Sequence, residues 1–167
     1  MFGVMTVDME SVVREVVRDM VVWDLGAGPA LPYAGRLVQL GATRVVAVDK
    51  LEDVLIWPRH DRVEVRHAMF ADVLPPEEGI DVAFVSWPVN RRLPGLVPLL
   101  EASRTVVYLG KNSRVEACGS RAMFDHLLRR DVLRELQHAR NDLVVYGPVT
   151  DLQRPLLREE LWGLENP

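Results

Sequence analysis

Short apolar runs recur along this chain, and segments long enough for helices or tight crossovers separate them. Two of the separating segments, residues 33–40 and 93–102, have the length of short helices. β-Branched residues are frequent in the runs, which span residues 21–23, 44–49, 62–67, 81–86 and 104–109. Strands that alternate with helices predict a parallel sheet covered by helices on both faces. The sequence therefore indicates an α/β fold with a doubly wound, mostly parallel sheet.

The two ends of the chain complete the fold prediction. Residues 7–20 carry apolar side chains at helical spacing, which predicts an amphipathic helix before the first strand. A second helical pattern covers residues 121–130. Residues 132–138 and 143–146 then flank a polar gap that contains Asn-Asp, which is a hairpin signal. We expect seven strands, of which the last two form an antiparallel pair.

The length of the chain suits one domain. With 167 residues, of which 49% are hydrophobic, the chain can bury a sizeable core. We expect an N-terminal helix over residues 1–20, a sheet core over residues 21–147, and a tail over residues 148–167 that lies on the surface or over the ligand. The sequence does not open with a basic segment followed by an apolar stretch, and no apolar run approaches 18 residues. We therefore predict a soluble, cytoplasmic protein without a membrane partner.

Charge and cysteine content narrow the classes of ligand. The net charge of -4 argues against a non-specific nucleic-acid binder. Residues 86–114 nevertheless have a local balance of +4, from Arg91, Arg92, Arg104, Lys111 and Arg114 against Glu101. This cluster is either a solvated surface or a site for a polyanionic substrate. Because Cys118 is the only cysteine and the four histidines lack ligand spacing, we predict no metal site.

A glycine-rich turn follows the first strand and marks the candidate ligand site. Doubly wound sheets bind ligands beyond the carboxyl ends of their strands, beside the first one. There the chain reads Asp24-Leu25-Gly26-Ala27-Gly28-Pro29. The two glycines allow a tight turn and a close approach of backbone to ligand, because no Cβ intrudes. A plain connection between strand and helix is the alternative interpretation.

Acidic residues after the second and third strands favour a nucleoside ligand. The second strand ends in Asp49, twenty-one residues beyond Gly28, where a carboxylate can accept from both hydroxyls of an adenosine ribose. After the third strand, Asp72 can accept from the adenine amine, while Met69 or Phe70 covers a face of the ring. Three matching strand ends together predict a nucleoside-binding site.

The glycine turn also discriminates between two cofactors. A dinucleotide site continues as Gly-x-Gly-x-x-Gly, so that the helix N-terminus meets the pyrophosphate. Here Leu31 occupies the position of the third glycine. Asp24 stands two residues before Gly26, where a carboxylate would repel a pyrophosphate and would suit the cationic amino group of a methionine moiety. The sequence therefore favours S-adenosylmethionine over NAD, and an NAD-dependent oxidoreductase is disfavoured.

These motifs resemble those of the class I, Rossmann-like, S-adenosylmethionine-dependent methyltransferases. The segment from Asp24 to Gly28 is similar to motif I of that superfamily, and Asp49 and Asp72 fall at its ribose-binding and adenine-binding acids. The resemblance covers about residues 20–147 and implies a seven-stranded sheet of order 3-2-1-4-5-7-6, with the reversed strand last. The expected cofactor-binding residues are Asp24, Gly26, Ala27, Gly28, Asp49, Lys50, Phe70, Asp72 and Ser86.

The catalytic loop should follow the fourth strand, where the chain reads Ser86-Trp87-Pro88-Val89-Asn90. Methyltransferases that act on nitrogen often carry Asn/Asp/Ser-Pro-Pro-aromatic here, and Ser86 and Pro88 match that pattern. Trp87 replaces the first proline and Val89 replaces the aromatic residue, which places nitrogen methylation in doubt. We take Ser86, Trp87 and Pro88 as the candidate catalytic residues. Trp87 either stacks on the acceptor or packs beneath the loop.

Two functions of different class follow from these motifs. The first is an active methyltransferase, for which the basic segment favours a nucleic-acid acceptor over a small molecule or a protein. The second is a catalytically degenerate module that binds S-adenosylmethionine or a partner protein. Lys111 and Asn112, after the fifth strand, either face the acceptor or belong to a solvated loop. Neither the acceptor nor the oligomeric state follows from the sequence.

Overall fold

The structure is a computed structural model that describes residues 5–28, 31–51, 60–88, 93–111, 119–138 and 141–149. One sheet contains β1 (Val21–Leu25), β2 (Arg44–Asp49), β3 (Val63–His67), β4 (Ile80–Ser86), β5 (Ser103–Gly110), β6 (Arg130–Gln137) and β7 (Asp142–Val149). The spatial order of its strands is β3-β2-β1-β4-β5-β7-β6. The first five strands run parallel, and β7 lies antiparallel between β5 and β6. The predicted order and the antiparallel final pair are both confirmed.

The described residues form four α-helices, of which the first precedes β1: α1 (Val7–Val17), α2 (Ala34–Gln39), α3 (Leu96–Glu101) and α4 (Arg121–Leu127). α1 and α4 begin with side-chain caps, since the hydroxyls of Thr6 and Ser120 accept from the backbone N–H groups of Met9 and Met123. α1 ends before the predicted boundary at residue 20, because Asp19 adopts a left-handed φ of 64°. Within the described ranges, no helix has the length and apolar character needed to cross a membrane.

The helices cover both faces of the sheet. α1 and α2 pack on one face through residues that include Val13 and Leu37, and α3 and α4 pack on the other through residues that include Leu99 and Met123. The central strands are therefore buried on both sides. This burial explains why their sequences are almost continuously apolar instead of alternating. A polar side chain at the end of such a strand therefore differs from its apolar neighbours.

A buried cation, Arg130, holds together the end of the sheet at which β5 begins. Its guanidinium is 3% exposed and donates to the carbonyl oxygens of Ser103 at 2.8 Å and Gly147 at 2.7 Å, and also to that of Leu100. Its Nε donates to Nε2 of His126 at 3.1 Å. Burial, and then the Arg130 charge, lower the pKa of His126 to about 4, so this imidazole is a neutral acceptor. Because these contacts fix Arg130 in place, β6 begins at that residue, two residues earlier than the sequence pattern predicted.

Candidate functional site

A cavity of about 280 Å³ opens at the carboxyl ends of β1, β2 and β4. This is the edge at which a doubly wound sheet binds its ligand. Of the nine predicted cofactor-binding residues, seven line the cavity: Gly26, Ala27, Gly28, Asp49, Lys50, Phe70 and Ser86. The two others, Asp24 and Asp72, lie outside its wall. All three candidate catalytic residues, Ser86, Trp87 and Pro88, line it as well.

The glycine turn after β1 is tied to the end of β2. Gly26 and Gly28 have left-handed φ angles of 83° and 73°, which glycine adopts without steric cost. The N–H groups of Gly26 and Ala27 donate to the carbonyl of Val48 at 2.8 and 3.2 Å. The N–H of Gly28 donates to Oδ2 of Asp49 at 2.8 Å. The three amides of the turn are thus engaged within the protein, which makes the turn a poor cradle for a pyrophosphate.

Asp49 combines a structural contact with unused capacity to accept hydrogen bonds. Its side chain is 9% exposed and lines the cavity. Oδ2 accepts from Gly28, and Oδ1 accepts from the backbone N–H of Leu51 at 2.9 Å. Because each carboxylate oxygen has two lone pairs, both oxygens keep an acceptor position. The arrangement fits a ligand that offers two neighbouring hydroxyls.

Asp24 lies beneath the cavity and not in its wall. The residue is fully buried, and neither carboxyl oxygen has a hydrogen-bond partner among the residues that the structure describes. Burial, and then the nearby Asp49 charge, raise the pKa of Asp24 to about 8, so its carboxyl is mostly protonated at neutral pH. The predicted contact of Asp24 with a ligand ammonium stays a prediction. The engaged amides of the glycine turn are a separate feature that disfavours a pyrophosphate.

A short 3-10 helix, Phe70–Asp72, follows β3 and was not predicted. The N–H of Asp72 donates to the carbonyl of Met69 at 3.0 Å and closes its turn. Met69 is 42% exposed and lines the cavity together with Phe70. The tip of the Phe70 ring lies 3.8 Å from where a Cβ on Gly26 would stand, which brings the ring over the glycine turn. Asp72 is exposed, and its contact with adenine stays a prediction.

The loop after β4 brings the candidate catalytic residues into the cavity wall. The N–H of Trp87 donates to the carbonyl of Leu109 at 2.8 Å, which holds the loop against the end of β5. Trp87 has a φ of 43°, a left-handed conformation that costs a residue with a Cβ about 1 kcal/mol or more. Its partly buried indole also packs against the core on the α1 side, and its Nε1 is buried without an acceptor among the described residues. Trp87 therefore lines the cavity and packs beneath the loop at once.

The apolar wall of the cavity was missed by sequence reasoning. It includes Leu51 after β2, Leu93 and Pro94 in the loop after β4, and Leu96 at the start of α3. Leu51 is 41% exposed, so it lies at the mouth of the cavity. Their position in the sequence could have identified them, because each of these residues follows the end of a central strand directly or within one loop. Apolar side chains gave no chemical signal of their own.

The fold separates the charged side chains of the basic segment, residues 86–114, from one another. Arg104 stands near the amino end of β5, where its guanidinium lies 3.7 Å from Asp81, so it faces away from the cavity edge. Lys111 directly follows the carboxyl end of β5, and its Nζ donates to the carbonyl of His138 at 3.4 Å. Residues 89–92 and 112–118, which include the other arginines of the segment and Asn112, lie outside the described residues. In the described ranges no three metal-binding side chains gather at one point.

Solved structures resemble this chain over most of its length, whereas no protein-family model and no curated protein matches it. An S-adenosylmethionine-dependent methyltransferase from Mesorhizobium loti superposes with a TM-score of 0.61 at 12% identity, over 82% of this chain and 96% of that one. A ribosomal protein L11 methylase from Lactobacillus delbrueckii subsp. bulgaricus gives 0.56 at 15%, over 84% and 77%. A protein from Pyrococcus horikoshii, provisionally named an RNA methyltransferase, gives 0.59 at 15%, over 86% and 81%. At these identities the likeness establishes the fold.

Proposed function

We propose that this chain, which has the class I methyltransferase-like fold, is an S-adenosylmethionine-dependent methyltransferase. The observation that carries the proposal is the carboxylate of Asp49. It lines an apolar cavity at the carboxyl edge of the sheet and retains two acceptor positions. In the adjacent turn, the N–H groups of Gly26, Ala27 and Gly28 are all engaged within the protein and so are not available to a phosphate. A nucleoside with free ribose hydroxyls and no phosphate matches this combination.

The residues around Asp49 suit the rest of such a cofactor. Leu51 and Phe70 would contact the faces of the adenine ring, and Asp72 would accept from its amine at the rim of the cavity. Gly26, Ala27 and Ser86 lie where the methionine end would extend, close to the ends of β1 and β4. Asp24 is fully buried beneath that end, with neither carboxyl oxygen paired among the described residues, and would accept from the ligand ammonium.

In the proposed reaction the main task of the protein is to position the cofactor and the acceptor. Bound S-adenosylmethionine supplies a methyl group that its sulfonium charge already activates. The contribution of this chain is to hold the acceptor atom close to that methyl and in line with it, which is a large source of rate in two-reactant reactions. The Ser86 hydroxyl and the Pro88 carbonyl would accept hydrogen bonds from the acceptor, and the Trp87 ring would limit its orientation. An acceptor that is already nucleophilic needs no general base.

We propose a nucleic acid as the acceptor. Lys111 directly follows the carboxyl end of β5, on the side of the sheet where the cavity opens, and a cation there could contact a phosphate. The Pyrococcus protein of similar fold carries the name of an RNA methyltransferase. Against this choice, the net charge is -4 and Arg104 lies at the opposite end of β5. A small molecule or a protein side chain is the competing class of acceptor.

A module that binds the cofactor without turnover is the second candidate function. The observation in its favour is Trp87, whose indole packs against the core and whose Nε1 is buried, so less of the ring is available to an acceptor. The loop also departs from the pattern of nitrogen methyltransferases at positions 87 and 89. This candidate predicts cofactor binding with no methyl transfer to any acceptor class.

Titration calorimetry tests the cofactor first. The protein is titrated separately with S-adenosylmethionine, with S-adenosylhomocysteine and with NAD. We expect both sulfur-containing nucleosides to bind and NAD to give no heat beyond dilution. NAD binding in the absence of the other two would overturn the assignment.

Transfer of a tritiated methyl group then tests activity. The protein is incubated with labelled S-adenosylmethionine and, in separate reactions, with total RNA, DNA, protein and a small-molecule extract. We expect label in a nucleic-acid fraction that is lost on nuclease treatment and on boiling the protein first. Label in protein or in small molecules would reject the proposed acceptor, and cofactor binding without label in any fraction would favour the degenerate module.

A further inference from the structure

Gly95, in the loop after β4, lies with its backbone against the backbone of the 3-10 helix after β3. Gly95 has a left-handed φ of 84°. A Cβ added there would lie 2.2 Å from the nitrogen and 2.4 Å from the Cα of Ala71, and 2.5 Å from the carbonyl carbon of Phe70. Carbon atoms in favourable contact stand about 3.5–4.0 Å apart. No side chain fits between the two backbones, so the approach requires glycine.

The two partners in this contact differ in how firmly they are held. Gly95 directly precedes α3, whose Leu96, Leu99 and Leu100 are no more than 1% exposed and anchor it in the core. The 3-10 helix is a single turn with Ala71 and Asp72 exposed to solvent. A methyl group at residue 95 would therefore displace the 3-10 helix and leave α3 in place.

The 3-10 helix carries an aromatic wall of the cavity. The Phe70 ring reaches over the glycine turn, with its tip 3.8 Å from the Cβ position of Gly26, and it packs against the core on the α3 side. Since the backbone of Phe70 is one of the surfaces that Gly95 touches, moving that backbone moves the ring relative to Gly26. Leu93 and Pro94, which precede Gly95, line the same cavity from the other loop.

We propose that Gly95 is a positioning residue of the cofactor cavity. Its backbone contact with residues 70 and 71 sets where the Phe70 ring lies over the glycine turn, and thereby sets cofactor affinity. The same contact joins the loop that bears the candidate catalytic residues to the wall expected to contact adenine. The role in affinity rests on the proposed function, whereas the contact itself does not.

Gly95→Ala tests the proposal against two matched glycines. Gly79 has the same φ of 84°, but its added Cβ would lie 3.0 Å from the carbonyl oxygen of Ala102, near the amino end of β4 and away from the cavity. Gly79→Ala therefore reproduces the cost of a left-handed alanine, together with one tight backbone contact, at a place outside the cavity. Gly35 lies in α2 with open space around its Cβ position, so Gly35→Ala controls for substitution itself.

The first readout needs no ligand. The N–H groups of Asp72 and Val73 close the 3-10 helix onto the carbonyls of Met69 and Phe70, at 3.0 and 3.3 Å. We expect their hydrogen exchange to be faster in Gly95→Ala than in the wild type, and unchanged in the two controls. Unchanged exchange in a folded Gly95→Ala protein overturns the proposal.

The second readout is the dissociation constant for S-adenosylhomocysteine. We expect it to rise about tenfold in Gly95→Ala and less than about twofold in the controls. In a Phe70→Ala background, Gly95→Ala should add no further loss, because the ring through which it acts is gone. An equal loss in Gly79→Ala, or a loss that persists without the Phe70 ring, overturns the proposal.

Phe70→Ala by itself keeps the test decisive if Gly95→Ala does not fold. It should weaken S-adenosylhomocysteine binding, and an unchanged dissociation constant would overturn the role of Gly95 in affinity. A wild-type protein that binds no S-adenosylhomocysteine overturns the proposed function and the role in affinity together. The exchange measurement then still decides whether Gly95 holds the 3-10 helix.

Discussion

The carboxylate of Asp49 accepts a hydrogen bond from the backbone N–H of Gly28 at 2.8 Å, so the end of β2 and the turn after β1 form one unit. The same carboxylate accepts from the N–H of Leu51 at 2.9 Å. The residue proposed to bind the ribose therefore also shapes the turn beside it. Substitutions of Asp49 should affect both ligand binding and stability.

Asp49→Ala should raise the dissociation constant for S-adenosylhomocysteine about ten- to hundredfold, because hydrogen bonds to a charged acceptor are lost. It should also lower the free energy of unfolding by about 1–3 kcal/mol, since two backbone N–H groups lose their acceptor. Asp49→Asn keeps one acceptor oxygen, so both its affinity for S-adenosylhomocysteine and its free energy of unfolding should fall less than those of Asp49→Ala. Calorimetry and urea denaturation measure the two effects.

Asp81→Ala is the matched control for Asp49. The Asp81 carboxylate also accepts from a backbone N–H, that of Val21 at 3.3 Å, but at the amino end of the sheet. Its removal should leave the dissociation constant unchanged. A folded Asp49→Ala protein with wild-type affinity would remove Asp49 from the ribose site.

Asp24 should make the stability of the protein fall as pH rises. Burial, followed by the Asp49 charge, raises its pKa from 3.8 to about 8 in the folded state. Between these values the unfolded chain has released a proton that the folded chain retains, so the free energy of unfolding decreases with pH. Each pH unit contributes up to about 1.4 kcal/mol. Asp24→Asn removes this contribution, and urea denaturation from pH 5 to pH 8 should show a smaller decline than in the wild type. Parallel curves for the two proteins would contradict a buried, protonated Asp24.

Trp87 should tolerate phenylalanine better than alanine. Trp87→Ala removes apolar contacts with the core and should lower the free energy of unfolding by about 3 kcal/mol. Trp87→Phe keeps most of those contacts and removes a buried N–H that has no acceptor among the described residues, so its loss should be about 1 kcal/mol or less. Thermal melting measures both.

Turnover separates the two roles of Trp87. Once an acceptor is known, a role in orienting it predicts that Trp87→Phe binds S-adenosylhomocysteine normally but methylates more slowly. A purely structural tryptophan predicts normal turnover in Trp87→Phe at temperatures where the variant is folded. A Trp87→Ala protein that melts, binds and methylates like the wild type would contradict both roles.

Arg130 should be essential for stability and irrelevant to the cavity. Arg130→Met leaves the carbonyls of Leu100, Ser103 and Gly147 without their donor and should cost about 3–5 kcal/mol. Arg130→Lys should rescue only part of this loss, because an ammonium cannot span the carbonyls that the planar guanidinium reaches. Urea denaturation measures the change, and Arg121→Ala, at an exposed side chain of α4, is the control. A change in cofactor affinity in a folded Arg130→Met protein would contradict the prediction that Arg130 does not affect the cavity.

Local patterns in the sequence determined the framework of the fold. Apolar runs predicted the five parallel strands, since burial on both faces of a parallel sheet demands almost continuous apolar residues in its central strands. The same patterns located Gly26, Gly28 and Asp49, because the carboxyl ends of such strands meet at one edge. The final hairpin was equally local, because its signal was the polar gap with Asn-Asp between residues 132–138 and 143–146. The strand order itself came from the resemblance in motifs.

The tertiary structure alone decided how these residues are used. Asp24 follows the expected motif, yet the packing of β1 beneath the turn buries it and favours its protonated form. Arg104 and Lys111 are neighbours in the basic segment, but the length of β5 carries them to opposite ends of the sheet. Gly95 acquires its importance only from the backbone of Ala71, which lies in another loop. Burial, charge state and contact between loops depend on distances across the fold, and no periodicity along the chain encodes those distances.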